Sequence, residues 1–219
     1  ARYAYEDGIV DHAGEGVYGE VFFAAMQSAA FVESDPQALL RVGLSYIPAD
    51  CAVARAVRQA MDCHRQGVSL PEARRRIHNA APGTFGIQGV ALDELPQAGN
   101  EGMEIGAPGF DAPENVAFAV AGWLYGQGDF GQSLCAANAF GEDTDCTCAS
   151  LGATLGIVLG ASRLPARWTA PLGDQIAIME EGKVIQHGSP EDIYHHPNSR
   201  FVMNFLGKAN RITDQDGRE

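Results

Sequence analysis

Three carboxylates, Glu142, Asp143 and Asp145, lie within four positions, directly before a long apolar run. Buried together without a cation, they would repel one another at a high cost in free energy. Asp143 and Asp145 are separated by one residue, so in a turn both side chains can face one Mg²⁺ or Mn²⁺, with a hydroxyl completing the oxygen shell. The spacing therefore predicts a site for a hard divalent cation.

Two other interpretations of this stretch remain open. Carboxylates that precede a helix can cap its free N–H groups and meet the positive end of its dipole, so the acids also fit a simple helix start. A zinc site built from Cys135, Cys146 and Cys148 is the second alternative, although their spacing matches none of the common zinc frameworks.

The elements that must position these residues are predicted to be helices. Asp35 and Pro36 have the form of an N-cap and first helical residue, and Ser69 with Glu72 has the form of a capping box. Apolar residues at helical spacing predict further elements. These helices cover residues 19–33, 36–47, 50–66, a short stretch from 69, 114–126, 130–139 and 146–162, with a long loop region from 82 to 113.

Two smaller features of these helices also lead to predictions. Gly152, Gly156 and Gly160 recur at intervals of four, which predicts a tightly packed core helix that another helix approaches closely. The run Arg74-Arg75-Arg76 is interpreted as a solvated helix face rather than a phosphate-binding patch.

The pattern changes after residue 172. Two short β-type segments are joined through Glu180-Glu181-Gly182, which predicts a hairpin. Ser189 and Pro190 then begin a short helix, and a second short helix ends at Gly207. The fold class is therefore mainly α, with a small β-hairpin and two-helix appendage at the C-terminal end.

Composition limits the classes of function. The chain has 219 residues, of which 46% are hydrophobic, and a net charge of −13, so it can bury a core and is a poor candidate for binding nucleic acid or anionic membranes. The uncharged run between Asp145 and Arg163 is interpreted as a core helix, so no membrane insertion is expected. Five cysteines without a repeated CxxC favour reduced thiols and a cytoplasmic location.

The stretch NAFGEDTDCTCASLGATLGIVLGASRLPARW, residues 138–168, resembles the C-terminal signature of ADP-ribosylglycohydrolases. The segment DHAGEGVYGEVFFAAMQSAAF, residues 11–31, is similar to a middle segment of the same family. The resemblance covers residues 1 to about 172 and implies an orthogonal helical bundle with a binuclear Mg²⁺ or Mn²⁺ centre. Such enzymes hydrolyse the bond that joins ADP-ribose to a modified protein side chain or a small acceptor.

Carried over by position, the resemblance makes Asp143 and Asp145 metal ligands. Where the family usually has Thr or Ser next, this chain has Cys146 followed by Thr147, so either Thr147 supplies the hydroxyl or that ligand is lost. On the substrate side, the resemblance implies that His12 lines the ribose pocket. The resemblance also implies that Glu15, Tyr18 and Gly141 contact the substrate.

The chain departs from the family in one respect. The remaining acidic ligands and the catalytic glutamate of the family lie in an N-terminal segment with a Thr-Asp-Asp-Thr type motif, and no such run precedes residue 143. The interpretation is that the chain begins inside the family domain and holds half of the metal site. The catalytic residues are then unknown, and activity is expected to be impaired.

Residues 174–212 resemble instead the end of the ATP-binding subunit of ABC importers, through the hairpin, Gln-x-Gly-x-Pro-Glu-x-Ile-Tyr and Phe-Val-x-x-Phe-x-Gly. The segments that bind ATP are absent, because the sequence contains no GxxxxGK[ST]. The predicted domains are thus 1–172, a helical domain; 173–212, the importer-like fragment; and 213–219, a tail. Beside the hydrolase, two alternatives remain: a transporter component without ATPase activity, whose tail would point to a transporter complex, and a non-catalytic chimeric relic.

Overall fold

A computed structural model describes residues 1–82 and 111–207, and the chain is mainly α-helical, as predicted. The long loop region predicted from 82 to 113 falls almost entirely outside the described residues. The helices are α1 Arg2–Gly8, α2 Glu15–Ala30, α3 Pro36–Ser45, α4 Ala52–Gln66, α5 Leu70–Ala80, α6 Ala112–Tyr125, α7 Phe130–Ala139, α8 Thr144–Leu159, α9 Ala166–Thr169, α10 Pro190–His195 and α11 Arg200–Leu206. Two strands, β1 Ile176–Glu180 and β2 Lys183–Gly188, and two short 3₁₀ turns, Ala161–Arg163 and Ala170–Leu172, complete the described elements.

The chain divides into two compact units, residues 1–165 and residues 166–219. The division falls before the predicted domain boundary at 172, so that the end of the predicted helical domain belongs to the second unit. Among the described residues no helix is long and apolar enough to cross a membrane.

Several helix starts follow the predicted local chemistry, and others do not. The Asp35 carboxylate accepts hydrogen bonds from the backbone of the first turn of α3, with Pro36 as the first helical residue, as predicted. The helix predicted over 50–66 begins at Ala52, and its cap is Cys51, whose sulfur accepts from the Ala54 N–H at 3.3 Å. At α5 the predicted capping box is wrong: Ser69 makes no side-chain capping bond.

Glu72, the other half of the predicted capping box, pairs with arginines on its own helix instead. Its carboxylate accepts hydrogen bonds from Arg75 and Arg76, three and four residues on, where helix geometry places neighbours. These two arginines are half-buried on the surface of α5, in line with a solvated face. Arg74 differs, because it reaches across to the segment before α8.

The core of the first unit is organised around α6. Its residues are buried along almost the whole helix, and it packs against α4, α7 and α8, with smaller contacts to α2 and α5. Phe118 of α6 stacks on Phe140, with ring centroids 5.0 Å apart. This stacking fixes the end of α7, and therefore the beginning of the acidic turn, against the centre of the bundle.

Close helix approach occurs on α6 rather than on α8. A Cβ at Gly122 would lie 2.5 Å from the Ala137 Cβ, and one at Gly126 would lie 2.3 Å from the Ser133 Cα. Helix α7 therefore packs directly on the backbone of α6 at Gly122 and of its C-cap residue at Gly126. On α8, a Cβ at Gly156 would meet nothing within 4 Å in the described part of the chain, and one at Gly152 would meet only the Leu134 side chain at 3.8 Å. The predicted close approach along the α8 glycines is therefore wrong for the residues described.

The second unit contains the predicted hairpin and short helices. The antiparallel strands β1 and β2 are joined through Glu181 and Gly182, both with positive φ, as a tight hairpin turn requires. A small separate core is formed by Ile178, Ile193 and Val202. Ser189 caps α10, as predicted.

Candidate functional site

The turn before α8 is held in an uncommon backbone conformation. Gly141 has φ +82° and Glu142 has φ +62°. This left-handed region costs a non-glycine residue energy, and the conformation persists only where the surroundings enforce it. Arg74 of α5 does so: its Nε donates to the Phe140 carbonyl at 3.0 Å, and its guanidinium pairs with the Glu142 carboxylate. Glu142 is therefore engaged in a structural ion pair that fixes the turn.

The other acids come together with a thiol at the start of α8. Asp143, Asp145 and Cys146 each offer one ligand atom, and these atoms lie within 4.8 Å of one another. Asp143 occupies the N-cap position but makes no side-chain capping bond, so the simple helix-cap interpretation does not account for its carboxylate. Instead it accepts a hydrogen bond from the Cys146 thiol, which raises the pKa of that thiol above its usual range.

Thr147 is placed differently from Cys146. It is buried, and its hydroxyl donates to Oδ1 of Asn115 on α6 at 3.3 Å. The next cysteine, Cys148, points toward α7, where its thiol lies 3.6 Å from the Leu134 carbonyl, and burial raises its pKa. Within the described ranges, the potential metal ligands that meet are thus two carboxylates and one thiol, and the cluster includes neither Cys135 nor Cys148.

A pocket of about 400 Å³ opens beside this cluster. It is lined by residues from the segment before α2 and from α2, α6 and the start of α8. The polar side chains on its wall are His12, Glu20, Asn115, Asp143, Cys146, Thr147 and Ser150. The structure therefore brings His12 and Asp143 to one pocket from distant parts of the sequence.

His12 lies over the first turn of α2. A Cβ at Gly16 would come within 3.2 Å of the His12 ring, so the absence of a side chain at Gly16 leaves room for the ring. The other ring edge is engaged: Nδ1 lies 2.6 Å from the Asp11 carboxylate. An acidic partner on one ring nitrogen orients the ring, and this orientation suits hydrogen bonding by the second nitrogen.

The remaining predicted substrate residues lie elsewhere. The two carboxylate oxygens of Glu15 accept the backbone N–H groups of Ala52 and Val53, both at 2.9 Å, so Glu15 caps α4 from outside that helix. Tyr18 is half-buried and packs against the core. Gly141 lies in the turn held by Arg74. None of the three lines the pocket, and substrate contact by them stays a prediction.

The sequence interpretation missed Glu20, Asn115 and Ser150. One face of α2 carries four pocket residues, which recur at intervals of one helical turn. They are Gly16, Gly19, Glu20 and Phe23. This helical spacing from His12 onward could have identified Glu20. Asn115 had no comparable signal, because its role depends on the packing of α6 against α8.

ATP-binding subunits of several importers match the chain over a short stretch. The sulfate/thiosulfate import ATP-binding protein CysA 2 of Agrobacterium fabrum is 45% identical over 42 residues, 19% of this chain and 12% of that protein. The spermidine/putrescine import ATP-binding protein PotA of Mesorhizobium japonicum is 50% identical over 42 residues, with the same coverage. The chain thus spans about 12% of the length of these relatives. No solved structure matches.

The family comparison covers far more of the chain. The model described as ADP-ribosylglycohydrolase matches residues 1–196. This range includes the whole first unit, with the acidic turn and the pocket, and it continues past residue 172 through the hairpin and α10. The chain belongs to the ADP-ribosylglycohydrolase family.

Proposed function

We propose that the first unit binds a divalent cation through Asp143 and Asp145 and hydrolyses the glycosidic bond between ADP-ribose and an acceptor. The observation that carries this proposal is the pocket of about 400 Å³, whose lining includes both His12 and Asp143. Acidic oxygens and a histidine around a concave site suit the hydroxyls of a ribose, and a cation held by the carboxylates would be needed to accept a pyrophosphate. Family membership supports the reaction class.

The donors present fit a divalent cation. Asp145 and Cys146 are exposed, Asp143 is half-buried, and their ligand atoms are close enough for a small rotamer change to bring them around one ion. A divalent cation held there supplies a positive charge for the pyrophosphate and an activated water for hydrolysis. It would also offset the local negative charge of Asp143 and Asp145, in a chain whose net charge of −13 otherwise disfavours an anionic ligand.

The protein side chains supply orientation and proton transfer. His12, with its Nδ1 held by Asp11, presents Nε2 to a ribose hydroxyl. The carboxylate of Glu20 lines the same pocket and is suited to accept a proton from the attacking water. Asn115 accepts from Thr147 and so fixes α6 and α8 where they line the pocket.

Turnover by this chain is proposed to be impaired. The resemblance requires further acidic ligands from a Thr-Asp-Asp-Thr type motif, and no such run precedes residue 143. With part of the carboxylate set, the pocket should bind a cation and ADP-ribose more readily than it catalyses hydrolysis, because a reactive centre demands more exact placement than binding does. Binding is therefore the primary measurement.

The test is isothermal titration calorimetry of the 219-residue chain with ADP-ribose, in the presence of Mn²⁺ or of a chelator. We expect cation-dependent binding that Asp145→Ala weakens on the order of tenfold or more. The matched control is Asp62→Ala, which removes a half-buried aspartate of α4 that pairs with Arg65 and should bind normally. An affinity for ADP-ribose that changed neither with the chelator nor in Asp145→Ala would contradict the proposal. ADP-ribose release from an ADP-ribosylated arginine substrate then measures the residual turnover.

The match to importer ATP-binding proteins favours a second candidate, a transporter-derived segment without ATPase activity. The proposed segment is residues 174–212, which carry the importer-like motifs. We expect no ATP binding, because the sequence has no GxxxxGK[ST] loop to hold the phosphates. Specific retention of labelled ATP by the chain in a filter-binding assay would contradict this expectation.

A further inference from the structure

The cluster at the start of α8 contains a sulfur atom in a position that a cation can reach. The Cys146 thiol lies within 4.8 Å of ligand atoms of both Asp143 and Asp145, and its side chain is exposed. Asp143 at the N-cap and Cys146 three residues later are neighbours on the helix surface. The thiol and the two carboxylates therefore present one mixed set of donors.

The hydroxyl group nearby is engaged elsewhere. Consecutive helical residues are rotated by about 100°, so Cys146 and Thr147 point in different directions from α8. Thr147 is 3% exposed and donates its hydroxyl proton to Asn115 on α6. Of the two side chains that follow Asp145, the Thr147 hydroxyl is thus bound to Asn115, whereas the Cys146 thiol lies with the two carboxylates.

We infer that Cys146 is itself a ligand of this centre, and that the centre prefers a thiophilic divalent cation such as Zn²⁺ or Co²⁺ to Mg²⁺. This inference rests on the proposed function, in which Asp143 and Asp145 bind a cation. Mg²⁺ demands oxygen donors in nearly octahedral geometry, whereas Zn²⁺ accepts thiolate and carboxylate together in a tetrahedron. Binding of the metal breaks the S–H bond of Cys146 and releases its proton to solvent.

The geometry requires only a modest closure. In a tetrahedral site with metal–oxygen and metal–sulfur bonds of about 2.0 and 2.3 Å, ligand atoms lie roughly 3.3–3.6 Å apart. The present atoms lie within 4.8 Å, so shifts of about 1 Å bring them to that spacing. Exposed side chains make such shifts by small rotations about their own bonds.

The experiment uses Co²⁺ as a spectroscopic probe of the metal-free 219-residue chain. We expect Co²⁺ to give a near-ultraviolet sulfur-to-cobalt charge-transfer band and tetrahedral visible bands. Both should persist in Cys135→Ser, the matched control on α7, while the charge-transfer band should disappear in Cys146→Ser. Zn²⁺ should displace Co²⁺ stoichiometrically, whereas Mg²⁺ in about hundredfold excess should not, and Cys146→Ser should lower Zn²⁺ affinity on the order of tenfold or more.

Two different failures are distinguishable. If Co²⁺ binds without the charge-transfer band and Mg²⁺ displaces it, Cys146 is not a ligand, and the carboxylate centre of the proposed function survives. If no divalent cation binds the chain, or if Asp143→Asn and Asp145→Asn bind cations as the unaltered chain does, both the inference and the proposed centre are overturned.

Discussion

Glu15 shows how one side chain can resemble a substrate ligand in sequence and act as a helix cap in space. Its two carboxylate oxygens accept the first free N–H groups of α4, those of Ala52 and Val53. Charged acceptors at a helix N-terminus also interact favourably with the helix dipole. The α4 start therefore depends on a residue of α2, while its own cap, Cys51, supplies a weaker sulfur acceptor.

We expect Glu15→Ala to lower the free energy of unfolding by about 1–2 kcal/mol, because it leaves two N–H groups without their carboxylate. Glu20→Ala, five residues along the same helix, should leave stability close to unchanged while weakening ligand binding in the pocket. Urea titrations of the two variants and calorimetry with ADP-ribose separate the two roles. A Glu15→Ala chain of full stability that bound ADP-ribose poorly would contradict the capping role.

The residues that sequence could assign are those whose partners are close in the chain. Asp35 and Ser189 cap helices two or three residues away, and their roles follow from local chemistry. Arg74 lies on α5 and Glu142 in the turn before α8, and only tertiary packing joins them. The acidic turn was identified from spacing, but the conformation that orients it depends on Arg74, for which the sequence carries no local signal.

At the scale of elements, helices α6 and α7 pack closely, and Gly122 lies at their contact. We expect Gly122→Ala to destabilise the fold by about 1–3 kcal/mol, because its Cβ would lie 2.5 Å from Ala137 and 2.8 Å from the α7 backbone. Gly156→Ala on α8 is the matched control. It should be neutral or should stabilise by roughly 0.5–1 kcal/mol, because a Cβ there meets nothing within 4 Å and alanine favours the helix.

Thermal unfolding followed by circular dichroism measures both glycine variants. Equal tolerance of alanine at Gly122 and Gly156 would show that α7 does not pack on α6 as described. The α8 glycine pattern explains why this could not be predicted: period-four glycines permit close packing wherever they occur, but they do not say which helix supplies the partner. At Gly122, the partner is fixed by the short connection between α6 and α7.

Helix α5 should be sensitive to acid. Hydrogen bonds from Arg75, and next from Arg76, lower the pKa of the Glu72 carboxyl from 4.5 to about 2. A depressed pKa in the folded state means that the contribution to stability is fully present above the unfolded pKa and is lost as pH falls from about 4.5 toward 2. Glu72→Gln should therefore be less stable than the unaltered chain near neutral pH.

The difference between Glu72→Gln and the unaltered chain should shrink as the carboxyl is protonated. Urea midpoints of both chains, measured from about pH 6 to about pH 2, follow this convergence. A difference that stayed constant over the whole range would show that the carboxylate charge does not contribute, and that the glutamine acts through packing or helix propensity alone.

At the scale of the whole molecule, the units and the family match do not end at the same residue. The first unit ends at Pro165, whereas the ADP-ribosylglycohydrolase match continues to residue 196. The hairpin, α10 and α11 have a core of their own, Ile178, Ile193 and Val202, separate from the larger core of the first unit. Separate cores favour folding of the first unit without the second.

We therefore expect a chain of residues 1–165 to unfold cooperatively and to bind divalent cations as tightly as the 219-residue chain, within about threefold. The physical reason is that the acidic turn, the Arg74 side chain that pairs with Glu142 and the pocket all lie within the first unit. Urea unfolding followed by far-ultraviolet circular dichroism, together with Co²⁺ titration, compares the two chains. Loss of cooperative unfolding on truncation would contradict this expectation.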